Sequence, residues 1–284
     1  MTVFIRFLRT TLCLIGLGWW MACSSLLLAQ NEISNRGDDK ERAAAALQLT
    51  KEYAERYEIT SATDAKKSVL VPRPILRWSN PERGEIYGNV FLWTLDGRPQ
   101  AVGSLYKWYS PFTHMSHEFH SLSTTGLQGN YDGKSVWKTD RPGITFTDVA
   151  DGPAFADKPA ARLTQMRELA RRFSASGTDA DGKRTELRLL AQPVYRYEVD
   201  PAATKPEFVD GAVFAFVEGT DPEVWLLLEA DASTGKWRYA LARMNRVVLT
   251  ANYQGTEVWR CETIGGPDLN GHQGPYTVFG FNKP

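Results

Sequence analysis

The chain has 284 residues, 43% of them hydrophobic, and its 33 lysines and arginines balance 33 aspartates and glutamates. A chain of this length and composition can bury one large core or two modest ones. With no net charge it lacks the basic field that draws proteins to nucleic acids or anionic membranes, so we expect no nucleic-acid partner.

The N-terminus has the pattern of an export signal. Arg6 and Arg9 precede the apolar run Leu12–Met21, and small residues follow at 22–25. A positive start, an apolar centre and small residues ahead of a polar mature sequence are typical of a secretory signal peptide. We therefore predict a signal peptide over residues 1–30, export to the periplasm or the extracellular space, and no membrane span after cleavage.

Two other interpretations of this segment keep the protein on a membrane. The stretch Thr11–Ala29 is almost long enough to span a bilayer if it stays uncleaved. Cys23, which follows Ala22, suggests a lipoprotein, although Trp20 stands where a lipobox has a small aliphatic residue. The alternatives to release are therefore anchoring by the uncleaved N-terminus or by a lipid at Cys23.

Residues 31–125 predict a first unit, in which a helix is followed by antiparallel strands. The helix, from Asp38 to about Glu58, has capping aspartates, alanines of high helix propensity and an apolar stripe. Strand patterns follow, and Asp96-Gly97 is a strong hairpin turn between two of them. The predicted strands cover residues 69–78, 85–95, 100–109 and 114–123.

The next segment, residues 126–158, is rich in glycine, proline and aspartate and has little periodicity. A stretch of this length without secondary structure is uncommon inside one domain. We predict a connecting loop, which is either a linker between units or a flap over a binding site.

Residues 159–284 predict a second unit of the same kind. The helix Ala160–Phe173 has one apolar stripe, and short strands follow it with no helix between them, which indicates an antiparallel meander. The predicted strands cover residues 186–199, 212–218, 224–230, 236–244, 247–253 and 257–262. From Gly265 onward the turn-rich sequence predicts an irregular C-terminal tail on the surface.

Two stretches of the first unit recur in the second. Pro74-Ile-Leu-Arg-Trp78 returns as Pro193-Val-Tyr-Arg-Tyr197, and Gly88-Asn-Val-Phe-Leu-Trp93 returns as Gly211-Ala-Val-Phe-Ala-Phe216. Matches in the same order with slowly drifting spacing are typical of an old duplication with loop insertions. The alternative is that two sheets use the same small set of strand-forming residues.

These patterns together predict an α+β fold, with two tandem helix-plus-antiparallel-sheet units produced by internal duplication. Each sheet has a face to cover, so we expect the two units to pack on each other as a pseudo-dimer. One helix on a curved sheet resembles cystatin-like and NTF2-like units, by analogy of fold alone.

Three of the four histidines lie in one segment, His114-Met-Ser-His-Glu-Phe-His120. In a strand, alternation places His114, Glu118 and His120 on one face, and all three are metal-ligand types. At about 3.3 Å per residue, however, His114 and Glu118 stand roughly 13 Å apart, too far to share one metal. A divalent-metal site at Glu118, His120 and His114 is therefore a hypothesis that needs ligands from elsewhere. The simpler interpretation is a strand with a polar outer face.

Three further residues are candidates for ligand contact. Trp137 lies in the predicted 126–158 loop, where an aromatic ring is suited to a pocket wall. Arg77 and Arg196 hold equivalent positions in the recurring stretches, beside aromatic residues, where they can bind carboxylates near the junction of the units. The alternatives are core packing for the tryptophan and a structural ion pair, or a stem packed along the sheet, for each arginine.

Part of the sequence resembles a family of exported proteins from planctomycete-type bacteria. The resemblance is carried by Pro74-Ile-Leu-Arg-Trp-Ser-Asn-Pro81, Gly88–Trp93 and Pro111-Phe-Thr-His-Met-Ser-His-Glu-Phe-His-Ser-Leu122 in the first half. Gln165-Met-Arg-Glu-Leu-Ala170 and Asp210-Gly-Ala-Val-Phe214 carry it in the second half. The resemblance implies export and a single architecture over most of the mature chain. It implies no activity and no catalytic residue.

No motif in the mature sequence specifies a reaction. It contains no Gly-x-Ser-x-Gly, no phosphate-binding loop, no Gly-x-Gly-x-x-Gly and no Cys-x-x-Cys. We therefore predict a non-enzymatic exported protein, without a cofactor, that binds an unknown small ligand or protein between the two units or under the loop. The alternative is a metal-assisted hydrolase that uses the segment His114–His120.

Overall fold

A computed structural model describes residues 38–197, 207–265 and 271–281, so the predicted signal peptide at 1–30 lies outside the described residues. Of the described residues, 51% are in strands and 13% in two helices. The fold is therefore mostly β, with curled antiparallel sheets, and the predicted α+β class is wrong. Neither helix of this part of the chain is both long and apolar enough to cross a membrane.

Two helices and a series of mostly short strands follow one another along the chain. The helices are α1 (38–55) and α2 (Pro159–Ala170). The strands before α2 are β1 (Tyr57–Ser61), β2 (Val69–Leu70), β3 (Leu76–Ser79), β4 (Glu85–Leu95), β5 (Arg98–Ser110), β6 (Met115–Ser121), β7 (Leu127–Tyr131), β8 (Lys134–Thr139) and β9 (Thr147–Asp148). The strands after α2 are β10 (Phe173–Thr178), β11 (Arg184–Leu189), β12 (Tyr195–Arg196), β13 (Phe208–Glu218), β14 (Asp221–Asp231), β15 (Trp237–Arg243), β16 (Val248–Tyr253), β17 (Thr256–Cys261) and β18 (Tyr276–Phe281).

The first large sheet has the order β18-β6-β5-β4-β2, and β3 also pairs with β4. Its longest hairpin, β4–β5, turns at Asp96 and Gly97, whose φ angles are 50° and 79°. Such left-handed angles suit a two-residue hairpin turn, and the prediction of this turn is confirmed. A small sheet of order β1-β7-β8 packs on this sheet through the core that includes Ile59, Phe91 and Trp137.

The second large sheet has the order β17-β16-β10-β11-β13-β14-β15-β9, with β12 also on β13. Alternation along β14 explains how this sheet fills two cores. Val224, Leu226 and Leu228 face a core that includes Met166 of α2. Trp225 and residues on the same face point to the other core, which the two large sheets share. Side chains alternate between the faces of a strand, so one buried strand serves both layers.

Several strands lie where the sequence predicted none. Strands β7, β8 and β9 all fall in residues 126–158, the predicted connecting loop. Strand β18 falls in the predicted irregular tail, yet it pairs with β6 of the first large sheet. Strands of residues 159–284 therefore complete a sheet of residues 31–125, and the prediction of two tandem helix-plus-sheet units is wrong.

The recurring stretches share a local contact between an aromatic ring and a glycine. Trp78 lies opposite Gly88, and a Cβ at this glycine would stand 2.0 Å from the indole ring. A Cβ at Gly211 would likewise stand 2.5 Å from the ring of Tyr197. Because only glycine admits a ring so close to the neighbouring strand, the same packing requires the same residue types. This contact explains the recurrence without reference to the fold as a whole.

Candidate ligand-binding cavity between the large sheets

The inner face of β14 carries carboxylates at both of its ends. Trp225 and Leu227, in its middle, pack into the core shared by the two large sheets. Asp221 and Glu223 precede them on the same face, and Glu229 follows them. The pairing of β14 with β13 shifts at Glu223, yet Asp221 and Glu223 both line the cavity between the sheets, so acidic side chains lie on this side of β14 at two separate places.

A cavity of about 350 Å³ lies at the Asp221 end, between the two large sheets. This volume is at the lower end of the range for small-molecule sites. The cavity combines aromatic rings with a cluster of carboxylates. It is lined by Trp78, Arg83, Ile86, Tyr106, Trp108, Phe112, His114, Ser116, Glu118, Asp221, Glu223, Met244, Asn245, Arg246, Tyr276 and Val278.

The three carboxylates differ in their hydrogen bonds. Tyr276 on β18 donates its hydroxyl to Oε1 of Glu118 on β6. Asn80 donates its side-chain amide to Oδ2 of Asp221 over 3.5 Å, a long contact. Glu223 is 3% exposed, and its Oε2 is buried without a hydrogen-bond partner. A buried oxygen of this kind is costly unless a partner reaches it, so this atom is suited to a hydrogen bond with a group inside the cavity.

Burial favours the protonated form of all three acids. It raises the pKa of Glu118 to about 8, although the hydrogen bond from Tyr276 acts in the opposite direction. Burial also raises the pKa of Asp221 to about 7, against the hydrogen bond from Asn80. The pKa of Glu223 is raised well above its usual range by burial and by the neighbouring charge of Asp221, against a hydrogen bond to its carboxyl group from the side chain of Asn245. Near neutral pH this cluster therefore holds protons that ordinary carboxylates have lost.

Aromatic rings line the cavity on the first large sheet, beside Glu118. Trp78 donates its indole N–H to Oγ of Ser104 over 2.9 Å, and its ring centroid lies 5.2 Å from that of Tyr106. The ring of Trp108 lies 5.1 Å from Phe112 and 5.8 Å from His114. Phe112 is 53% exposed, which places an apolar ring in solvent beside the opening.

Two arginines border the cavity and favour the ionised forms of its acids without contacting them as ion pairs. Arg83 is exposed and forms an ion pair with Glu218 over 3.5 Å. Arg246 is also exposed. Within residues 38–197, 207–265 and 271–281, no ion pair joins the acids at 118, 221 and 223 to a basic side chain. The cavity wall therefore has an excess of acidic groups.

The predicted metal-site residues are divided between two cavities. His114 and Glu118 line the acidic cavity, whereas His120 lines a larger cavity of about 1010 Å³, and Tyr276 borders both. The Nδ1 atom of His120 lies 2.8 Å from the carbonyl oxygen of Ser121, and burial lowers the pKa of His120 to about 4. Among the described residues no three His, Cys, Asp or Glu side chains are arranged to hold a metal ion. The segment thus supplies one acid and one imidazole to the acidic cavity, not a metal cluster.

The other three residues predicted to contact a ligand lie outside the two cavities described above. Trp137 is 2% exposed in the core, and its indole N–H donates to the carbonyl oxygen of Gly274 over 2.8 Å. Arg196 forms a two-pronged ion pair with Asp210, with one contact of 3.0 Å and one of 2.5 Å. Arg77 is exposed on β3, on the opposite face from the buried Trp78. None of the three lines the cavities described above, so their predicted ligand contacts are not formed there.

Sequence reasoning missed Asp221, Glu223 and Tyr276. The available signal was the pattern Asp221-Pro-Glu-Val-Trp-Leu-Leu-Leu-Glu229, in which acids share a strand face with Trp225 and Leu227. Acids within a buried apolar strand require partners, and their partners here come from segments far away in the sequence. Compared with known proteins, the chain matches no protein-family model, no curated protein and no solved structure. The interpretation of the cavity therefore depends on its own geometry.

Proposed function

We propose that this protein is a non-enzymatic exported protein that binds a small ligand in the acidic cavity between its two large sheets. The observation that carries the proposal is the partnerless Oε2 of Glu223 in a wall shared by both sheets. A ligand donor that reaches this atom removes the cost of its burial. Export is supported by the charged start and apolar run of the predicted signal peptide.

The cavity combines aromatic rings with polar groups, as small-molecule sites do, although its wall is more polar than is usual for them. Such sites are mostly apolar and carry a few polar groups that fix the orientation of the ligand. Here Trp78, Tyr106 and Trp108 supply the apolar area, and Glu118 and Glu223 supply the polar groups. The cavity is too small for a folded partner, so the proposal names a small ligand.

The metal-assisted hydrolase has no comparable support. It requires Glu118 and His120 to share one site, whereas Glu118 lines the acidic cavity and His120 lines the larger one. Metal analysis of the purified protein checks this alternative directly. Stoichiometric zinc, iron or manganese that disappears from a Glu118→Ala variant would favour the hydrolase over the binding protein.

The proposal is tested by a small-molecule screen using saturation-transfer NMR. Val278→Phe fills the cavity from its half-buried wall on β18, while Val69→Phe makes the same change at a position that is 68% exposed on β2. We expect ligands whose signals are lost with Val278→Phe and kept with Val69→Phe. A screen in which no ligand distinguishes the two folded variants would overturn the proposal.

A further inference from the structure

We infer that the ligand of this cavity is a small organic cation that carries N–H donors, an ammonium or guanidinium group, held by Glu223 and Glu118. The inference depends on the proposed function, because it names the chemical class bound at the same site. It is supported by the charge balance of the wall, by the unfilled acceptor at Glu223 and by the aromatic rings.

The charge balance leaves a place for a positive group from outside the fold, because the three acids hold protons without one and can ionise when one binds. Glu118, Asp221 and Glu223 line one cavity without a basic partner among the described residues. Elsewhere on the same strand, Glu229 is fully buried and receives N–H groups of two arginines. A buried carboxylate is stable as an anion only when a cation reaches it, so the acidic cavity lacks the group that the other end of β14 has.

The acceptor at Glu223 specifies the kind of cation. A cation favours the ionised form of Glu223, and an ionised carboxylate only accepts hydrogen bonds, so a cation that binds Oε2 must bring a donor. Ammonium and guanidinium groups combine donors with positive charge and form the stronger, charge-assisted hydrogen bonds. A quaternary ammonium has the charge but no donor, and an anionic ligand would meet repulsion from the cluster.

The aromatic wall favours the same class of ligand. Tyr106 and Trp108 line the cavity, and Phe112 and His114 border its opening beside Trp108. Cations are attracted to aromatic faces, and the attraction is stronger where water is excluded. The exposed Arg83 and Arg246 oppose a cation at the rim, but Arg83 is paired with Glu218 and both are open to solvent screening.

Binding of a cation must be coupled to loss of protons. The raised pKa values of Glu118 and Glu223 keep protons on these acids near neutral pH, and a cation favours their ionised forms. The charged or titratable neighbours of Glu118 are Tyr106 on β5, Tyr276 on β18, Asp221 and Glu223 on β14, Arg243 on β15 and Arg246 after β15. Those of Glu223 are Asp221, Glu118 and Arg83. Affinity for a cation is therefore expected to rise from pH 6 to pH 9.

The test compares two probes of the same shape by isothermal titration calorimetry. Butylguanidinium is charged throughout this pH range, and butylurea is its neutral counterpart with similar N–H donors. We expect butylguanidinium to bind at least about tenfold more tightly than butylurea at pH 9, with a smaller preference at pH 6. Glu223→Gln is expected to abolish the preference, whereas the control Glu58→Gln, at an exposed glutamate paired with Lys67, should keep it.

A second measurement needs no variant. At pH 7.5, titration of the wild-type protein with butylguanidinium in two buffers of different ionisation enthalpy should show release of about one proton. Equal affinity for the two probes, or binding without proton release, would overturn the inference. If Val278→Phe still removes ligands found in the screen, the proposed function stands with a different ligand class. If it removes none, both proposals fail.

Discussion

The two ends of the inner face of β14 show how one residue type takes two roles. Glu229, at one end, is fully buried and accepts N–H groups of Arg98 over 3.0 and 3.2 Å and of Arg238 over 2.9 and 3.1 Å. Glu223, at the other end, is almost equally buried, yet its Oε2 has no partner. The two residues share a strand, a face and a chemistry, and differ in what the rest of the fold supplies.

At the Glu229 end the partner is part of the architecture. Arg98 begins β5 in the first large sheet, and both guanidinium groups lie over Phe146, at 5.0 Å for Arg98 and 4.7 Å for Arg238. The ion pair therefore joins the two sheets and fills its surroundings. At the Glu223 end the space between the two large sheets remains as a cavity. The comparison indicates that buried acids with built-in cations hold this fold together, and that those without them are available to a ligand.

The largest effect is expected when the paired end is broken. Glu229→Gln removes the charge that compensates Arg98 and Arg238, and loss of one partner of a buried ion pair costs about 3–5 kcal/mol. Glu223→Gln removes no ion pair and should change the free energy of unfolding by less than about 1 kcal/mol. Urea denaturation at pH 7 measures both changes. Similar losses in the two variants would contradict the contrast between the ends.

A smaller loss of stability is expected when either of the two glycines that pack against an aromatic ring is replaced by alanine. Gly88→Ala and Gly211→Ala each place a methyl group against a ring, that of Trp78 or Tyr197, at a cost of about 1–3 kcal/mol for overpacking. Only Trp78 lines the acidic cavity, so only Gly88→Ala should also weaken binding of a ligand found in the screen. Thermal unfolding and titration of both variants check this. If both variants weaken binding equally, ligand affinity responds to loss of stability in general and not to the contact at Trp78.

The third stability effect depends on pH and is absent at low pH. Glu118 holds its proton to about pH 8 when folded but loses it near its ordinary pKa when unfolded, so wild-type stability falls as pH rises between these values. Glu118→Gln cannot ionise, so at pH 9 it should be more stable than wild type, by up to about 5 kcal/mol for a pKa raised from its ordinary value to about 8. The advantage should vanish near pH 4.5. If the stability difference between Glu118→Gln and wild type is the same at pH 4.5 and pH 9, it arises from packing and not from ionisation.

Elements with strong local patterns were predictable from the sequence, and elements fixed by distant partners were not. The β4–β5 hairpin follows from Asp96-Gly97 and the alternation around it, and β4 itself was predicted with its observed bounds. Strands β7 and β8, whose sequences are Leu-Gln-Gly-Asn-Tyr and Lys-Ser-Val-Trp-Lys-Thr, have little apolar alternation. They form because β7 pairs with β1, far earlier in the chain. Two recognisable helix patterns suggested a helical layer, whereas strands dominate the fold.

The same is true of the candidate site, where features set by the local sequence were predictable and features that depend on distant segments were not. Alternation along the segment His114–His120 correctly separated Glu118 from Met115 and Phe119, which pack in the core behind β6. It could not reveal that β14 lies across from this face, since nothing local brings Glu223 toward Glu118. A metal was the obvious partner for acids and imidazoles on one strand. The second sheet instead surrounds Glu118 with further carboxylates, which calls for a cation of another kind.

The most direct test of the contrast is the titration of the glutamate side chains by ¹³C NMR, with and without butylguanidinium. The account predicts a midpoint near pH 8 for Glu118 and a raised midpoint for Glu223, both moving to lower pH when the cation is added. Two results would contradict the proposal that this end of β14 binds a cation. One is a set of midpoints at ordinary glutamate values in the free protein, and the other is raised midpoints that do not move when the cation is added.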